Sequence, residues 1–270
     1  MHLYENRIVV KIGTSTVTND LGANDLRSFD RLARVLSDIT NMGREVILVS
    51  SGAIALGSNR MKLKARPAAM REKQAAAAVG QCALMSLYGK FFNEYDKTIA
   101  QILLNAEDIR YEEKKENLTN TFDALLEMGI IPIVNENDSV SYTEIESEDR
   151  LFGDNDMLSA VVAVLCRAGK LVIFSDIDGL YDCDPRLNPG ARLMERITHI
   201  DGKIQALAGG AGSRRGRGGM KTKIQAAHLA TSQGIDTIIA NGKQPAALYD
   251  IIRNKTAGTL FVGRKAEYAC

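Results

Sequence analysis

Six short apolar runs punctuate the chain: IVVKI at 8–12, EVILVS at 45–50, TIAQILL at 98–104, IIPIV at 130–134, LVIFS at 171–175 and DTIIA at 236–240. Each reads as a buried strand, and the first as one buried on both faces. Between them the apolar positions switch to a helical period. Phe29, Leu32, Ala33 and Leu36 share one helix face, as do Leu118, Phe122, Leu125 and Leu126. The segment 74–92 (QAAAAVGQCALMSLYGKFF) predicts a long, mostly apolar helix packed at the centre, with Gly80 allowing a close helix contact, within the core or at a subunit interface. Strands alternating with helices predict an α/β fold, a three-layer α/β/α sandwich around a mostly parallel sheet. We expect a single unit over 1–270, with one lobe over about 1–168 and a second over about 169–270 sharing a continuous sheet.

One residue breaks the first apolar run. Lys11 lies inside IVVKI, followed by Gly13, Thr14, Ser15 and Thr16. Either its ammonium reaches solvent along its own stem, or it points into the crevice at the carboxyl end of a parallel strand, where ligands collect in open α/β sheets.

The other strand ends carry polar groups too. Ser50, Ser51 and Gly52 follow the second strand and lead into a helix, whose N-terminus would bind an anion if it does not merely take a serine cap. Asn135, Glu136, Asn137 and Asp138 follow the fourth, as a solvated loop or a binding loop. In FGDNDMLSAVVAVL (152–165), Asp154, Asn155 and Asp156 open an apolar helix, and capping needs only one of them. Three at one terminus would hold a cation or a substrate ammonium, or orient lysines. Ser175, Asp176, Asp178 and Gly179 follow the fifth strand as a plain turn or as a loop for a nucleotide's ribose or base. The glycine-rich basic run GGAGSRRGRGGMKTKIQAA (209–227) feeds a helix bearing Lys221 and Lys223, a phosphate cradle in physical terms or a surface loop.

Composition narrows the classes. The chain has 270 residues, 45% hydrophobic and 25% charged, with a net charge of +1, so nothing global favours nucleic acid. No signal-like h-region and no bilayer-length apolar run occurs, so no membrane partner is expected. Cys82, Cys166, Cys183 and Cys270 lack CxxC spacing and read as reduced thiols of a cytoplasmic protein. The P-loop, G-x-G-x-x-G, HExxH and G-x-S-x-G patterns are all missing. The three histidines, His2, His199 and His228, fall outside the polar loops.

Taken together, VVKIGTS, SSGAIALG, AAVGQ, VNENDSV, GDNDMLSA, SDIDGLYDCDPR and GGMKTKIQAA resemble the amino acid kinase family in order and spacing, from residue 9 to AGTLF at 257–261. Sister branches act on N-acetylglutamate, aspartate, carbamate or uridylate. The combination of NEND, GDND and GGMxTK resembles the branch acting on free L-glutamate. The resemblance implies transfer of the ATP γ-phosphoryl group to the side-chain carboxylate of glutamate, the first step of proline synthesis, with Mg2+ accompanying the nucleotide and no metal ligand from the protein. By the same resemblance Lys11 and Lys223 hold the transferring group and Asp156 orients them. Ser51, Asp138, Asn155 and Asp154 bind glutamate in the first lobe. Lys11, Ser175, Asp176 and the run Arg217, Gly218, Gly219, Met220, Lys221, Thr222 and Lys223 bind ATP in or beside the second. Proline is the implied feedback inhibitor, and a homo-oligomer, dimer or tetramer, the implied assembly.

Three departures stand out. The family's C-terminal RNA-binding-like domain is expected to be absent, EIESEDRLFGDND is longer before GDND than usual, and Ser175 stands where threonine is also seen. Two rivals remain: a kinase of the same fold with another acid, and a non-catalytic amino-acid sensor.

Overall fold

The computed structural model describes residues 3–18, 25–65, 67–140, 154–207 and 219–264, the side chain of Ser15 excepted. The first part of the chain runs β1 (Tyr4–Ile12), α1 (Thr14–Val17), α2 (Leu26–Asn41), β2 (Glu45–Ser50), α3 (Ala53–Arg60), α4 (Met70–Asn93), β3 (Ile99–Leu104), α5 (Ala106–Arg110), α6 (Glu112–Glu127) and β4 (Ile131–Glu136). The second runs α7 (Asn155–Leu165), β5 (Ala168–Ser175), β6 (Arg196–Ile197), α8 (Gly202–Leu207), α9 (Met220–Ser232), β7 (Asp236–Asn241), α10 (Ala247–Ile251) and β8 (Thr259–Phe261). One sheet holds all eight strands in the order β3-β4-β2-β1-β5-β7-β8-β6, and every pairing but β7–β8 is parallel.

Strand alternation divides the core into two layers. On one face Val9, Ile47, Val49, Val134 and Ile173 pack against α6, α7 and α9. On the other, Ile8, Val10, Ile12, Leu48 and Val172 pack against α2, α4 and α10. The six strands read from the sequence are all present. β6 and β8, at two and three residues, are too short to carry a period and are seen only in the structure.

Helix α4 departs from the expectation that it packs at the centre. Ala76, Ala77, Leu84, Tyr88 and Phe92 are buried, whereas Ala75, Ala78, Val79 and Cys82 are exposed. Gly80 does serve a close helix contact. A Cβ there would overlap the Ala53 carbonyl, and one on Gly57 would overlap the Ala76 carbonyl, so α3 and α4 touch backbone to backbone.

Cys82, Cys166 and Cys183 are free thiols, and burial pushes the Cys166 pKa up. Cys270 lies outside the described residues. Among the described residues no helix is long and apolar enough to cross a membrane.

Candidate active site

Parallel pairing puts the carboxyl ends of β4, β2, β1, β5 and β7 along one edge of the sheet. The N-termini of α3, α7 and α9 open at the same edge: α3 follows the end of β2, Asn155 of α7 bonds the Ser50 carbonyl, and Asp156 of α7 meets both Lys11 of β1 and Lys223 of α9. Strand and helix termini meeting in this way make the crevice expected of such sheets.

Lys11 does not reach solvent along its stem. It is 6% exposed. Two-residue alternation puts it on the Val9 face, under α7 and α9. Asp156 stands in the first turn of α7, where a helix N-terminus favours a carboxylate. Its Oδ1 lies 2.5 Å from Lys11 Nζ, and its Oδ2 lies 3.0 Å from Lys223 Nζ in α9. Thr222 Oγ1 also donates to Oδ2, at 2.9 Å. Asp156 is 1% exposed and Lys223 7%. Burial opposes ionisation of Asp156, but the two ammonium groups outweigh it and bring its pKa from 3.8 to about 2. The carboxylate is therefore charged at neutral pH, and the trio carries one net positive charge in a nearly dry place. Such a surplus calls for an anion.

Asp154 caps α7, its Oδ1 accepting from the backbone N–H groups of Asp156 and Met157 at 3.0 and 3.1 Å. Asn155 donates to the Ser50 carbonyl and to Asn135 Oδ1, each at 3.0 Å. Ser51 follows β2, its N–H donating to the Ile12 carbonyl at 3.3 Å and its side chain half-buried. Asp138 is half-buried in the turn after β4. Gly52, at φ 110°, adopts the left-handed conformation that opens α3.

On the other side, Ser175 and Asp176 stand at the end of β5, with Ser175 Oγ donating to Asp176 Oδ1 at 3.2 Å. Gly219 precedes α9 without a side-chain cap, and Met220, Lys221 and Thr222 form its first turn. Lys221 is exposed. Arg217 and Gly218 lie outside the described residues, as do Arg214, Arg215 and the long segment before GDND.

The structure thus joins Lys11, Asp156, Thr222 and Lys223 directly and sets Asn155 beside them. Three strand-end residues that the sequence marks as polar, without giving any of them a place in the site, also lie here. Asn135 (3% exposed) and Ser50 (0%) end buried strands, and polar side chains at such positions were the available signal. Asp178 accepts from Asn241 Nδ2 at 2.8 Å and from the Tyr181 hydroxyl at 3.2 Å, a link between the β5 and β7 ends that spacing alone does not reveal.

Comparison with known proteins agrees with this architecture. The model of the amino acid kinase family matches residues 6–241. The chain is similar to a glutamate 5-kinase of Clostridium perfringens, 54% identical over 261 residues that cover 97% of each protein. It is also similar to one of Clostridium acetobutylicum, 48% identical over 257 residues covering 95% of this chain and 94% of the relative. Among solved structures, a carbamate kinase from Giardia lamblia bound to AMP-PNP aligns with a TM-score of 0.67 at 15% identity, over 96% of this chain and 98% of the other. A UMP kinase from Bacillus anthracis aligns at 0.64 and 14%, over 96% and 97%. At such identities these two speak for the fold alone.

Proposed function

The chain belongs to the amino acid kinase family, and from that premise we propose that it transfers the γ-phosphoryl group of ATP to the side-chain carboxylate of L-glutamate, giving L-glutamyl 5-phosphate and ADP for proline synthesis. The glutamate 5-kinases it resembles along nearly their whole length support the choice of acid. The observation that carries the chemistry is the buried Lys11–Asp156–Lys223 trio with its surplus positive charge.

Glutamate's side-chain carboxylate is ionised at neutral pH and needs no general base. The difficulty is that two anions must meet. Fixed cations offset their repulsion and follow the charge as the γ-phosphoryl group leaves ADP. Lys11 sits on a strand and Lys223 on a helix, and Asp156 fixes both heads, so little reorganisation is needed. Ser51, Asp138 and Asn155 bind glutamate, with Asp138 facing its α-ammonium and Asp154 holding the α7 terminus beside it. Ser175, Asp176, Arg217, Gly218 and the α9 N-terminus bind ATP. The first lobe therefore takes the acid and the second the nucleotide.

Among the described residues no group of three or more His, Cys, Asp or Glu is placed to hold a metal ion, and Asp156 is already committed to two lysines. Mg2+ would arrive on the nucleotide, held by its phosphate oxygens and water. When bound it would neutralise phosphate charge. We place the reaction in the cytoplasm, with proline as a competitor that shares glutamate's α-amino-acid frame.

The test is ADP release with glutamate, N-acetylglutamate, aspartate and carbamate, with and without proline. Release is expected with glutamate and lowered by proline. N-acetylglutamate offers an uncharged, bulkier amide in place of the ammonium that Asp138 would face, so discrimination of roughly 10⁴ is expected. Comparable use of both acids would refute the glutamate assignment and the role of Asp138. No release with any acid would favour a sensor.

A further inference from the structure

A line of buried amides runs from the crevice back into α4. Asn155 Nδ2 donates to the Ser50 carbonyl and to Asn135 Oδ1. Asn135 Oδ1 also accepts from the Glu136 backbone N–H at 2.9 Å. Asn135 Nδ2 donates to Gln81 Oε1 at 2.9 Å. Gln81, on α4, is 9% exposed, and its Nε2 has no hydrogen-bond partner among the described residues. A second tie runs alongside, with the Tyr88 hydroxyl of α4 at 2.7 Å from Ser50 Oγ.

An amide's orientation is readable here because both ends of the line are backbone groups, which have no choice of role. The Glu136 N–H must meet an oxygen, so Asn135 turns Oδ1 toward it. Asn135 Nδ2 then points at Gln81, which must answer with Oε1. At the other end the Ser50 carbonyl must meet a donor, so Asn155 turns Nδ2 inward. Both amide hydrogens of Asn155 are thereby engaged. Only its Oδ1 remains for the crevice, an acceptor suited to an ammonium and unsuited to a carboxylate.

We infer that Gln81 is a positioning residue for substrate recognition: by accepting from Asn135 it locks the Asn135 amide, and through it keeps the Asn155 oxygen turned toward the α-ammonium of the amino acid. This rests on the glutamate reading above. Gln81 touches no reacting atom and acts only through the two asparagines. Without the Oε1 acceptor, Asn135 Nδ2 is left buried and unpaired. Turning the Asn135 amide to relieve that would set a donor against both the Glu136 N–H and Asn155 Nδ2. Asn155 could follow only by giving up its bond to Ser50 and presenting a donor to the ammonium.

The experiment compares Gln81→Met with Gln81→Glu in the full chain. Methionine keeps shape and helix propensity but removes the acceptor. The glutamate KM is expected to rise roughly 5- to 50-fold, the cost of a buried donor left unpaired. The ATP KM and the turnover at saturating glutamate should stay within about threefold, as for loss of uniform binding. Inhibition by glutarate, which lacks the ammonium, should be unchanged. Gln81→Glu keeps an acceptor and loses only the unpartnered Nε2, so its glutamate KM should stay within about threefold of wild type. An unchanged glutamate KM in Gln81→Met, or glutarate and ATP binding weakened equally with it, would overturn the inference. If Gln81→Met does not fold, Gln81→Glu decides alone, and a tenfold or greater rise in its glutamate KM would overturn the inference on the same scale. A wild-type enzyme without glutamate-dependent ADP release would defeat the reaction and this inference together. Release by the wild type with an unaffected Gln81→Met variant would defeat only the inference.

Discussion

Strand β1 carries a buried cation near each end, Arg7 and Lys11, in opposite settings. Arg7 is 3% exposed and sits in register with Glu45 on β2. Its guanidinium donates to Glu45 Oε2 at 2.6 Å, to Asp123 Oδ1 at 2.7 Å and to the Cys166 carbonyl at 2.8 Å. Arg167 adds a bond to Asp123 Oδ2 at 3.4 Å, and both guanidinium groups lie over the Tyr4 ring, at 4.3 and 4.8 Å. Two cations face two carboxylates there, so the cluster is neutral. It ties β1, β2, α6 and the end of α7 together. At the other end, among the described residues, two lysines share one carboxylate, and the trio itself carries one net positive charge. Residue type follows the same division. Arginine offers a planar fork with several fixed donors for a closed network, and lysine a compact charge that can hand itself to a ligand. A balanced buried cluster reads as architecture, and an unbalanced one that opens on a crevice reads as a site.

The comparison breaks most sharply at Lys11. In Lys11→Ala the turnover should fall roughly 100- to 1000-fold, the usual loss for one preorganised charge-stabilising donor. Stability should change little, because Asp156 keeps Lys223 and Thr222. Steady-state kinetics with a thermal melt check both halves, and near-normal turnover would remove Lys11 from the mechanism.

Arg7→Met should behave in the opposite sense. The partners Glu45 and Asp123 are each 25% exposed and can partly rehydrate, so the loss is expected at the lower side for a broken buried pair, about 2–3 kcal/mol. Turnover per folded molecule should be unchanged. Urea denaturation reads the first and kinetics on the folded fraction the second. A fully stable Arg7→Met variant would show that the neutral cluster is not a fastening.

The smallest effect concerns acid. The Asp156 pKa is lowered on folding, from 3.8 to about 2, so the unfolded chain binds the proton first. Its stabilising contribution is fully present above about pH 4 and is lost as pH falls through about 2, some 2 kcal/mol in all. Denaturation midpoints of wild type and Asp156→Asn across pH 5 to 2.5 should converge toward the acid end. Parallel curves would mean that the lysines do not hold Asp156 ionised.

Much of this contrast was legible in the sequence at one end of β1 and hidden at the other. Lys11 drew notice because it interrupts an apolar run, the strand-end loops marked Asp156 and Lys223 as candidates, and the family resemblance made them its partners. Arg7 reads as a polar flank of the strand. Nothing local predicts its burial, which depends on Glu45, Asp123 and the Cys166 carbonyl, the last 159 positions away. Gln81 closes the AAVGQ run, but its role was hidden in the same way, as one of a few polar letters within a mostly apolar helix. Its meaning comes from a bond to Asn135 across 54 positions. β6 and β8 escaped because two or three residues show no alternation. The long helix α4 was placed too deep because alanine and valine letters do not tell which face they occupy.

The central claim is that unbalanced charge at the carboxyl end of β1 serves the transferring phosphoryl group while balanced charge at the other end serves the fold. The most direct test is the glutamate-dependent turnover number of Lys223→Met beside that of Arg7→Met, both at saturating ATP and glutamate and both corrected for folded fraction. The account predicts a loss of roughly 100-fold or more for Lys223→Met and wild-type turnover for Arg7→Met. Equal losses in the two variants, or a normal turnover for Lys223→Met, would contradict it.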